Sequence, residues 1–262
     1  MGEMRLIEAV RQGLREELAA DSSVFLIGQD IGVNGGVFRV TDGLLDEFGP
    51  ERVIDSPLAE SGMVGVAIGA AMNGLRPVVE IQFADFIFPA FNQIVSEAAR
   101  MYYRTNGDYS VPIVIRAPYG GGVRGGLYHS QSVEAYFAHV PGLKVVVPCN
   151  PHDAKGLLKA AIRDNNPVLF FEHKLAYNTV QGAVPEGNYT VPIGKAAVRR
   201  EGQQLSLISY GLSVHHCLEA AETLAAEGIS CEVVDLRSVS PLDTKTLLES
   251  VKKTGRVCIV HE

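Results

Sequence analysis

Short apolar segments alternate with helix-length segments along most of this chain, and this alternation restricts its fold more than any other feature. The segments VFLIG (24–28) and PVLFFEH (167–173) are apolar at nearly every position rather than at every second one. Strands of this kind are typical of parallel sheets that helices cover on both faces. The sequence therefore predicts an α/β fold with parallel sheets. The strands predicted in its first part are 24–28, 52–55, 78–83, 111–117, 143–148 and 167–173.

Helical periodicity fills the intervals between these strands. Leu6, Val10, Leu14 and Leu18 recur every four residues, so they lie on one face of a first helix. The stretch 62–74 consists mostly of small residues, which favours a helix that packs closely against a neighbour. Further helices are predicted at 86–104 and 152–163.

The alternation is interrupted once and then restarts. Residues 176–204 are rich in Pro and Gly and lack helical periodicity, so we interpret them as a linker with a short hairpin. We expect a first domain at 1–180, a linker at 181–195 and a second domain at 196–262. The second domain has predicted strands at 205–211, 230–237 and 256–262 and predicted helices at about 213–227 and 243–253.

The chain stops at the end of a predicted strand. Ligands of parallel α/β sheets bind just beyond such strand ends, so this is an unusual place for a natural terminus. We therefore expect the chain to be incomplete at its carboxyl terminus.

Composition excludes several classes of protein. The 262 residues include 23 Lys and Arg against 30 Asp and Glu, a net charge of −7, with no basic block for nucleic acid. No apolar run reaches the ~18 residues of a membrane span, and the start has no signal-peptide pattern. The four cysteines form no CxxC pair, which predicts reduced thiols. These features favour a cytoplasmic protein.

A glycine-rich loop follows the strand predicted at 111–117. Gly120, Gly122 and Gly125 match the pattern GxGxxG of dinucleotide-binding proteins. That function needs a helix to begin inside the motif, whereas the next helix is predicted only from about residue 132. We interpret the segment as a loop that needs close backbone approach.

Three polar or aromatic positions are candidates for ligand binding. Glu60 lies among apolar neighbours, where desolvation would favour sharing a proton with a ligand nitrogen. Phe86 lies in a cluster of phenylalanines with Gln82 and Asp85, and this combination suits a planar heterocycle. His129 follows the glycine loop, and histidine titrates near neutral pH. Structural alternatives stay open for each: a helix-start carboxylate, core aromatic rings and a surface histidine.

Five segments together resemble one family, the beta subunits of thiamine-diphosphate-dependent 2-oxo acid dehydrogenases. The family comprises pyruvate, branched-chain 2-oxo acid and acetoin dehydrogenases, and the resemblance spans essentially the whole chain. It implies a transketolase-like fold with a pyrimidine-binding domain and a C-terminal domain that is incomplete here. The segments are DSPLAESG, EIQFADFIFPAFNQIVSEAA, RAPYGGGVRGGLYHSQS, GLKVVVPCNPHDAKGLL and PVLFFEH.

The resemblance also implies roles for single residues. Glu60 resembles the glutamate that hydrogen-bonds the aminopyrimidine ring of thiamine diphosphate, and Phe86 the aromatic residue stacked on that ring. Leu58 and Gln82 match positions that line the same pocket. His129 resembles the histidine that assists acyl transfer to the lipoyl group of the acyltransferase component. A structural potassium site of some members is matched by Val111, Ile113, Ala161, Asp164 and Asn166.

One family feature is absent. The cofactor's diphosphate is held through Mg²⁺ by a GDG…NN motif, whereas this chain has only GDY at 107–109 and Asn165–Asn166 in a different element. The resemblance therefore implies that an alpha subunit supplies the Mg²⁺ and diphosphate contacts, in an α2β2 heterotetramer with an active site between chains. The small residues at 62–74 fit such an interface.

The substrate is the least constrained of these expectations. The branched-chain type is resembled by GGVFRVTDGL and YHSQSVEAYFAHVPGLKVV, while FADFIFPA resembles pyruvate enzymes equally well. Hydrophobic pockets discriminate one methylene by only ~1–3 kcal/mol, so activity on both substrates is compatible with the sequence. We expect a branched-chain 2-oxo acid, with pyruvate as the alternative, acetoin as a weaker one, and a non-catalytic assembly module as a different class.

Overall fold

A computed structural model describes residues 2–262, which form nine α-helices and thirteen strands. The strands are β1 (Gly2–Arg5), β2 (Val24–Gly28), β3 (Val53–Asp55), β4 (Arg76–Glu80), β5 (Val114–Tyr119), β6 (Lys144–Val146), β7 (Val168–His173), β8 (Gln181–Val184), β9 (Ala197–Arg200), β10 (Leu205–Ser209), β11 (Cys231–Asp235), β12 (Ser238–Ser240) and β13 (Val257–Ile259). The helices are α1 (Leu6–Ala20), α2 (Leu44–Phe48), α3 (Glu60–Met72), α4 (Met101–Arg104), α5 (Glu134–Ala138), α6 (Pro151–Arg163), α7 (Ala176–Thr179), α8 (Ser213–Ala226) and α9 (Thr244–Thr254).

Two sheets dominated by parallel strands organise the chain, which confirms the predicted fold class. The first has the order β12-β6-β7-β5-β4-β2-β3, and all its strands are parallel except β12. The second has the order β13-β10-β11-β9, with three parallel strands and an antiparallel β9. No helix within residues 2–262 is long and apolar enough to cross a membrane.

Helices cover both faces of the first sheet. On one face, α1 packs against α6 and buries Leu6, Val10, Leu14 and Leu18, as their spacing predicts. On the other face, α3 packs through Met63, Val64, Ala67, Ile68 and Ala71. The two faces thus hold separate apolar cores.

Some small residues of α3 take no part in this packing. A Cβ atom built on Gly65 or Gly69 meets nothing within 4 Å, and Val66 between them is 61% exposed. Close packing inside this chain therefore does not require these glycines.

The prediction of one helix at 86–104 is wrong. The segment contains two 3₁₀ turns at Ala84–Phe86 and Phe88–Ala90, a π-helical stretch at Gln93–Ala98, and only then α4. Pro89 lacks the N–H group that a continuous helix needs, and the backbone N–H of Ala99 donates to the oxygen of Ile94, five residues back, at 3.0 Å.

The predicted strand at 78–83 is shifted, because β4 occupies Arg76–Glu80. Gln82 therefore lies beyond the carboxyl end of this strand rather than inside it. This places its side chain at the edge of the sheet.

The hairpin predicted within 176–204 is also wrong. Its two strands, β8 and β9, belong to different sheets: β8 pairs antiparallel with β1, and β9 with β11. Each strand finds a partner that is distant in sequence, which local turn signals do not reveal. In addition, β12 from the second part of the chain pairs with β6 of the first sheet.

An ion cluster also joins the two parts. The Asp153 carboxylate on α6 accepts from Arg237 Nε at 2.8 Å and from Arg199, while Cys149 Sγ donates to Asp235 Oδ2 at 3.0 Å. Burial raises the pKa of Asp153, but the two arginines lower it further, and the net direction is down. The cluster is therefore an ion-paired link between the two sheets.

A second ion cluster is buried under the carboxyl edge of the first sheet. Arg116 on β5 donates to Glu172 on β7 through Nε (2.8 Å) and Nη2 (2.9 Å), and to Glu80 on β4 through Nη1 (2.6 Å). Tyr177 donates to the same Glu172 at 2.7 Å. Burial lowers the pKa of Arg116, yet the two carboxylates raise it above its usual value. One guanidinium thus joins three adjacent strands.

Removal of this guanidinium tests how much the sheet depends on it. Arg116→Met leaves Glu80 and Glu172 buried without their cation, which should lower the free energy of unfolding by about 3–5 kcal/mol. Denaturant unfolding followed by circular dichroism measures the loss. The matched control is Arg15→Met, since the Arg15–Glu47 pair is about 45% exposed and such pairs contribute only about 0–1 kcal/mol. Equal, small losses for both variants would contradict the prediction.

Candidate functional site

The candidate residues follow parallel strands of the first sheet, at the edge formed by the carboxyl ends of those strands. Strand β3 ends at Asp55 and leads to Glu60, β4 ends at Glu80 and leads to Gln82 and Phe86, and β5 leads through the glycine loop to His129. Because parallel strands end at one edge, these segments converge there, where α/β sheets bind ligands.

Glu60 is the first residue of α3 and is half-buried. Within the described residues its carboxylate has no hydrogen-bond or ion-pair partner, and the helix N-terminus stabilises a negative charge there. Leu58, two residues earlier, is 71% exposed. The segment is tied to the sheet because Ser56 N donates to the oxygen of Gly28 at 2.9 Å. A carboxylate and an apolar side chain therefore face outward from a fixed backbone.

Gln82 links the ends of two strands. Its Nε2 donates to Asp30 Oδ2 at 3.0 Å and lies 3.4 Å from the oxygen of Gln29, and both partners follow β2. The amide is half-buried at the sheet edge. Gln82 thus holds the turn after β2 beside the turn after β4.

Aromatic rings bring Phe86 and His129 together. The Phe86 and His129 ring centroids are 5.4 Å apart and nearly perpendicular. Phe83 contacts both rings, with centroids 5.6 Å from Phe86 and 4.6 Å from His129, and Phe38 contacts Phe83 at 5.3 Å. Edge-to-face pairs of this kind add to the stability of an aromatic cluster. The structure therefore joins two of the candidates through Phe83.

The His129 ring is oriented by its own loop. Nδ1 lies 3.0 Å from the oxygen of Gly125, and when Nδ1–H donates to this carbonyl, Nε2 carries the lone pair. The residue ends a 3₁₀ turn at Leu127–His129, and its side chain is half-buried. The absence of a helix start inside the glycine motif agrees with the sequence-based argument against dinucleotide binding.

Two carboxylates hold the ends of this loop. Asp85 Oδ1 accepts from the backbone N–H groups of Ser130 (3.1 Å) and Gln131 (3.2 Å). Glu262 Oε1 accepts from Gly121 N (2.6 Å), and its Oε2 lies 2.6 Å from His173 Nε2. Sequence reasoning noted Asp85 only as a neighbour of Phe86 and missed Glu262, because the residues that they hold are distant in sequence.

Gly120 is required where the loop begins. Its φ is +87°, and a Cβ atom there would lie 2.2 Å from His173 Nε2. A side chain at this position would displace the histidine that Glu262 contacts. This explains one glycine of the motif by close approach of a side chain.

The residues predicted to bind potassium lie at the opposite edge of the same sheet. The set Val111, Ile113, Ala161, Asp164 and Asn166 surrounds the entries to β5 and β7, where Val168 N donates to the oxygen of Ile113 at 2.9 Å. Lys144 donates to the Asp164 carboxylate, and Asn166 N donates to it at 2.9 Å. Burial raises the pKa of Asp164, but these partners lower it further. The potassium site stays a prediction.

Comparison with known proteins adds a family context to this geometry. The family "Transketolase, pyrimidine binding domain" matches residues 2–181, and "Transketolase, C-terminal domain" matches residues 194–262. A solved structure described as "Split gene transketolase, inactive beta4 tetramer" is 26% identical, with a TM-score of 0.80, over 100% of this chain and 80% of that chain.

Curated relatives match over the whole chain. The 2-oxoisovalerate dehydrogenase subunit beta of Bacillus subtilis (strain 168) is 60% identical over 100% of this chain and 80% of its own length. The pyruvate dehydrogenase E1 component subunit beta of the same organism is 52% identical over 100% of this chain and 81% of its own length. The pyruvate dehydrogenase E1 component subunit beta of Staphylococcus aureus (strain Mu50 / ATCC 700699) is 48% identical with the same coverage.

Proposed function

Because the chain belongs to the family of 2-oxo acid dehydrogenase beta subunits, we propose that it acts with an alpha subunit in the oxidative decarboxylation of a branched-chain 2-oxo acid. The acyl group passes to the lipoyl group of an acyltransferase component. The observation that carries this function is the contact between Phe86 and His129, at the sheet edge to which the segment of Glu60 also leads. A cytoplasmic location is part of the same proposal.

The substrate choice rests on relatedness. Identity to the 2-oxoisovalerate dehydrogenase subunit is 60%, against 52% to the pyruvate dehydrogenase subunit of the same organism. Pyruvate is therefore the second candidate substrate. Parallel assays with both 2-oxo acids distinguish them through the ratio of kcat/KM values.

The residues at the edge fit the pyrimidine half of thiamine diphosphate. Glu60 offers a carboxylate without a partner in the described chain, and Phe86 offers a flat apolar ring. Leu58 precedes Glu60 by two residues, and Gln82 precedes Phe86 by four. When bound, thiamine diphosphate supplies the carbon nucleophile and the electron sink of the reaction.

The roles of this chain's own side chains follow from their chemistry. Glu60 shares a proton with a ring nitrogen of the aminopyrimidine, which adjusts the basicity of the ring's amino group. Phe86 fixes the plane of the ring and excludes water from one side. When the His129 ring is protonated on both nitrogens, Nδ1–H donates to Gly125 and Nε2–H faces the reacting groups. The imidazolium then delivers its Nε2 proton to a sulfur of the lipoyl ring as the S–S bond opens, and Nε2 is left with a lone pair.

The alpha subunit supplies what this chain lacks. We assign the Mg²⁺ and diphosphate contacts to that partner, in an α2β2 assembly with the active site between chains. The exposed glycines of α3, Gly65 and Gly69, support the assignment, because small residues let a neighbouring helix approach closely. The predicted potassium site belongs to the same proposal as a structural site away from the chemistry.

Reconstitution tests the division between the subunits. The isolated chain should show no thiamine-diphosphate-dependent decarboxylation of a 2-oxo acid, and addition of an alpha subunit should restore it. The release of CO₂ from a labelled 2-oxo acid measures both. Turnover by the chain alone would refute the partnership, and a complex that forms but never turns over would favour a non-catalytic assembly module.

Glu60→Gln tests the proton shared with the pyrimidine. The substitution keeps the shape of the side chain, so the protein should fold normally while the rate in the assembled enzyme falls by ~10²-fold or more. Deuterium exchange at C2 of the cofactor, followed by NMR, isolates this step. Glu51→Gln, at an exposed turn glutamate, is the control. Near-normal exchange in the Glu60 variant would exclude the role.

His129→Ala separates the two half-reactions. Acylation of the lipoyl group needs proton delivery to sulfur, whereas decarboxylation depends mainly on the cofactor. The variant should therefore lose more lipoyl acylation than decarboxylation measured with an artificial electron acceptor. His139→Ala, at an exposed histidine, should change neither rate. Equal losses in the His129 variant would mean that His129 acts before the pathways diverge.

A further inference from the structure

Lys174 is a buried cation that the proposed chemistry does not use. It follows β7 directly, is 3% exposed, and its Nζ has no hydrogen-bond or ion-pair partner among the described residues. Burying an ammonium group costs free energy unless nearby charges or dipoles compensate. The charges and rings near Lys174 therefore indicate its role.

Two carboxylates interact electrostatically with this ammonium. Burial lowers the pKa of Lys174 by more than the charges of Asp85 and Glu262 raise it, so the net direction is down. Asp85 Oδ2 is also buried without a hydrogen-bond partner, while its Oδ1 holds the loop. These are the same two carboxylates that hold the His129 loop, Asp85 after the histidine and Glu262 before it.

An aromatic ring gives Lys174 a second link to His129. Its Nζ lies 5.6 Å from the centroid of the Phe83 ring, within cation–π distance. The same ring packs edge-to-face on the His129 ring at 4.6 Å. Lys174 is thus linked to His129 in two indirect ways: through the carboxylates that hold the loop, and through the Phe83 ring that contacts the imidazole.

We propose that Lys174 is a positioning residue for His129, the shared counter-charge of the two carboxylates that hold the loop 120–131 at both ends. With the ammonium in place, Asp85 and Glu262 remain ionised acceptors of backbone N–H groups, and Phe83 is fixed beneath the imidazole. Lys174 itself does not touch substrate or cofactor. The catalytic part of this inference rests on the proposed function, whereas the part about loop order does not.

Trypsin cleavage reports loop order independently of activity. Arg124 is the sole Arg or Lys in the loop 120–131, and its side chain is exposed. Lys174→Met keeps the length of the side chain and removes its charge, so cleavage after Arg124 in the folded 262-residue chain should rise about tenfold. Asp85→Asn is a second variant, which weakens the same clamp from the other side and should raise cleavage by a similar factor.

A matched control separates this effect from general destabilisation. Lys155 is also a buried lysine whose Nζ lies over an aromatic ring, 5.3 Å from the centroid of Tyr189, but it is on α6 and pairs with Glu16. Lys155→Met should lower the melting temperature without increasing cleavage after Arg124. Lys174→Arg, which restores the charge, should return cleavage toward the level of the unmodified chain.

Kinetics of the enzyme assembled with its alpha subunit completes the test. Lys174→Met should lower the ratio of lipoyl acylation to decarboxylation about tenfold, and Lys174→Arg should restore it in part. Unchanged cleavage in Lys174→Met, or an equal increase in Lys155→Met, would overturn the proposal. If cleavage rises while the ratio is unchanged, and His129→Ala also leaves the ratio unchanged, the role proposed for His129 is wrong and the loop assignment stands.

Discussion

The buried guanidinium of Arg116 fixes the part of the sheet on which the candidate site depends. It joins β4, β5 and β7 through Glu80, the last residue of β4, and Glu172, one residue before the end of β7. Gln82 and Phe86 follow the end of β4, and the glycine loop follows the end of β5. His173 ends β7, and Lys174 follows it. A buried ion pair of this kind contributes little net stability compared with apolar packing, but it strongly penalises any arrangement that separates its members. The cluster therefore fixes the register of the three strands, and this register determines where the functional side chains lie.

We propose that the chain provides one half of a cofactor site on this scaffold. Glu60 offers a carboxylate and Phe86 an aromatic ring, which suit an aminopyrimidine. His129 contacts the rings of Phe86 and Phe83. The exposed glycine face of α3 begins one turn after Glu60, so a partner packed on that face would also lie beside the site. The same helix can thus link assembly to completion of the active site.

The sequence predicted those parts of the fold whose signals are local. The Leu6–Leu18 periodicity identified α1, and the apolar run 24–28 identified β2 with its bounds. Neighbouring residues and the family resemblance made Glu60, Phe86 and His129 candidates, and their roles stay predictions. Residues 86–104 were misassigned because a helical pattern does not show where Pro89 interrupts the hydrogen bonds. The pairing of β1 with β8, and the clamps of Asp85 and Glu262, join residues far apart in sequence. No periodicity encodes such contacts.

The roles of Asp85 and Lys174 illustrate the same limit in physical terms. From sequence alone, a lysine after a strand is predicted to be a surface cation, because lysine is almost never fully buried without a partner. Only the three-dimensional structure shows that its ammonium group is buried beside the Phe83 ring and within the electrostatic influence of two carboxylates. Second-layer residues of this kind determine how firmly a catalytic group is held, and they become visible only with coordinates.

The central claim is that this chain holds the pyrimidine half of thiamine diphosphate and leaves the diphosphate to a partner. A crystal structure of the assembled complex with the bound cofactor tests this claim most directly. The account predicts a Glu60 carboxylate oxygen within about 3 Å of a pyrimidine nitrogen, the Phe86 ring against the pyrimidine, and Mg²⁺ and diphosphate on residues of the other chain. A diphosphate held by this chain, or a pyrimidine ring away from Glu60 and Phe86, would contradict it.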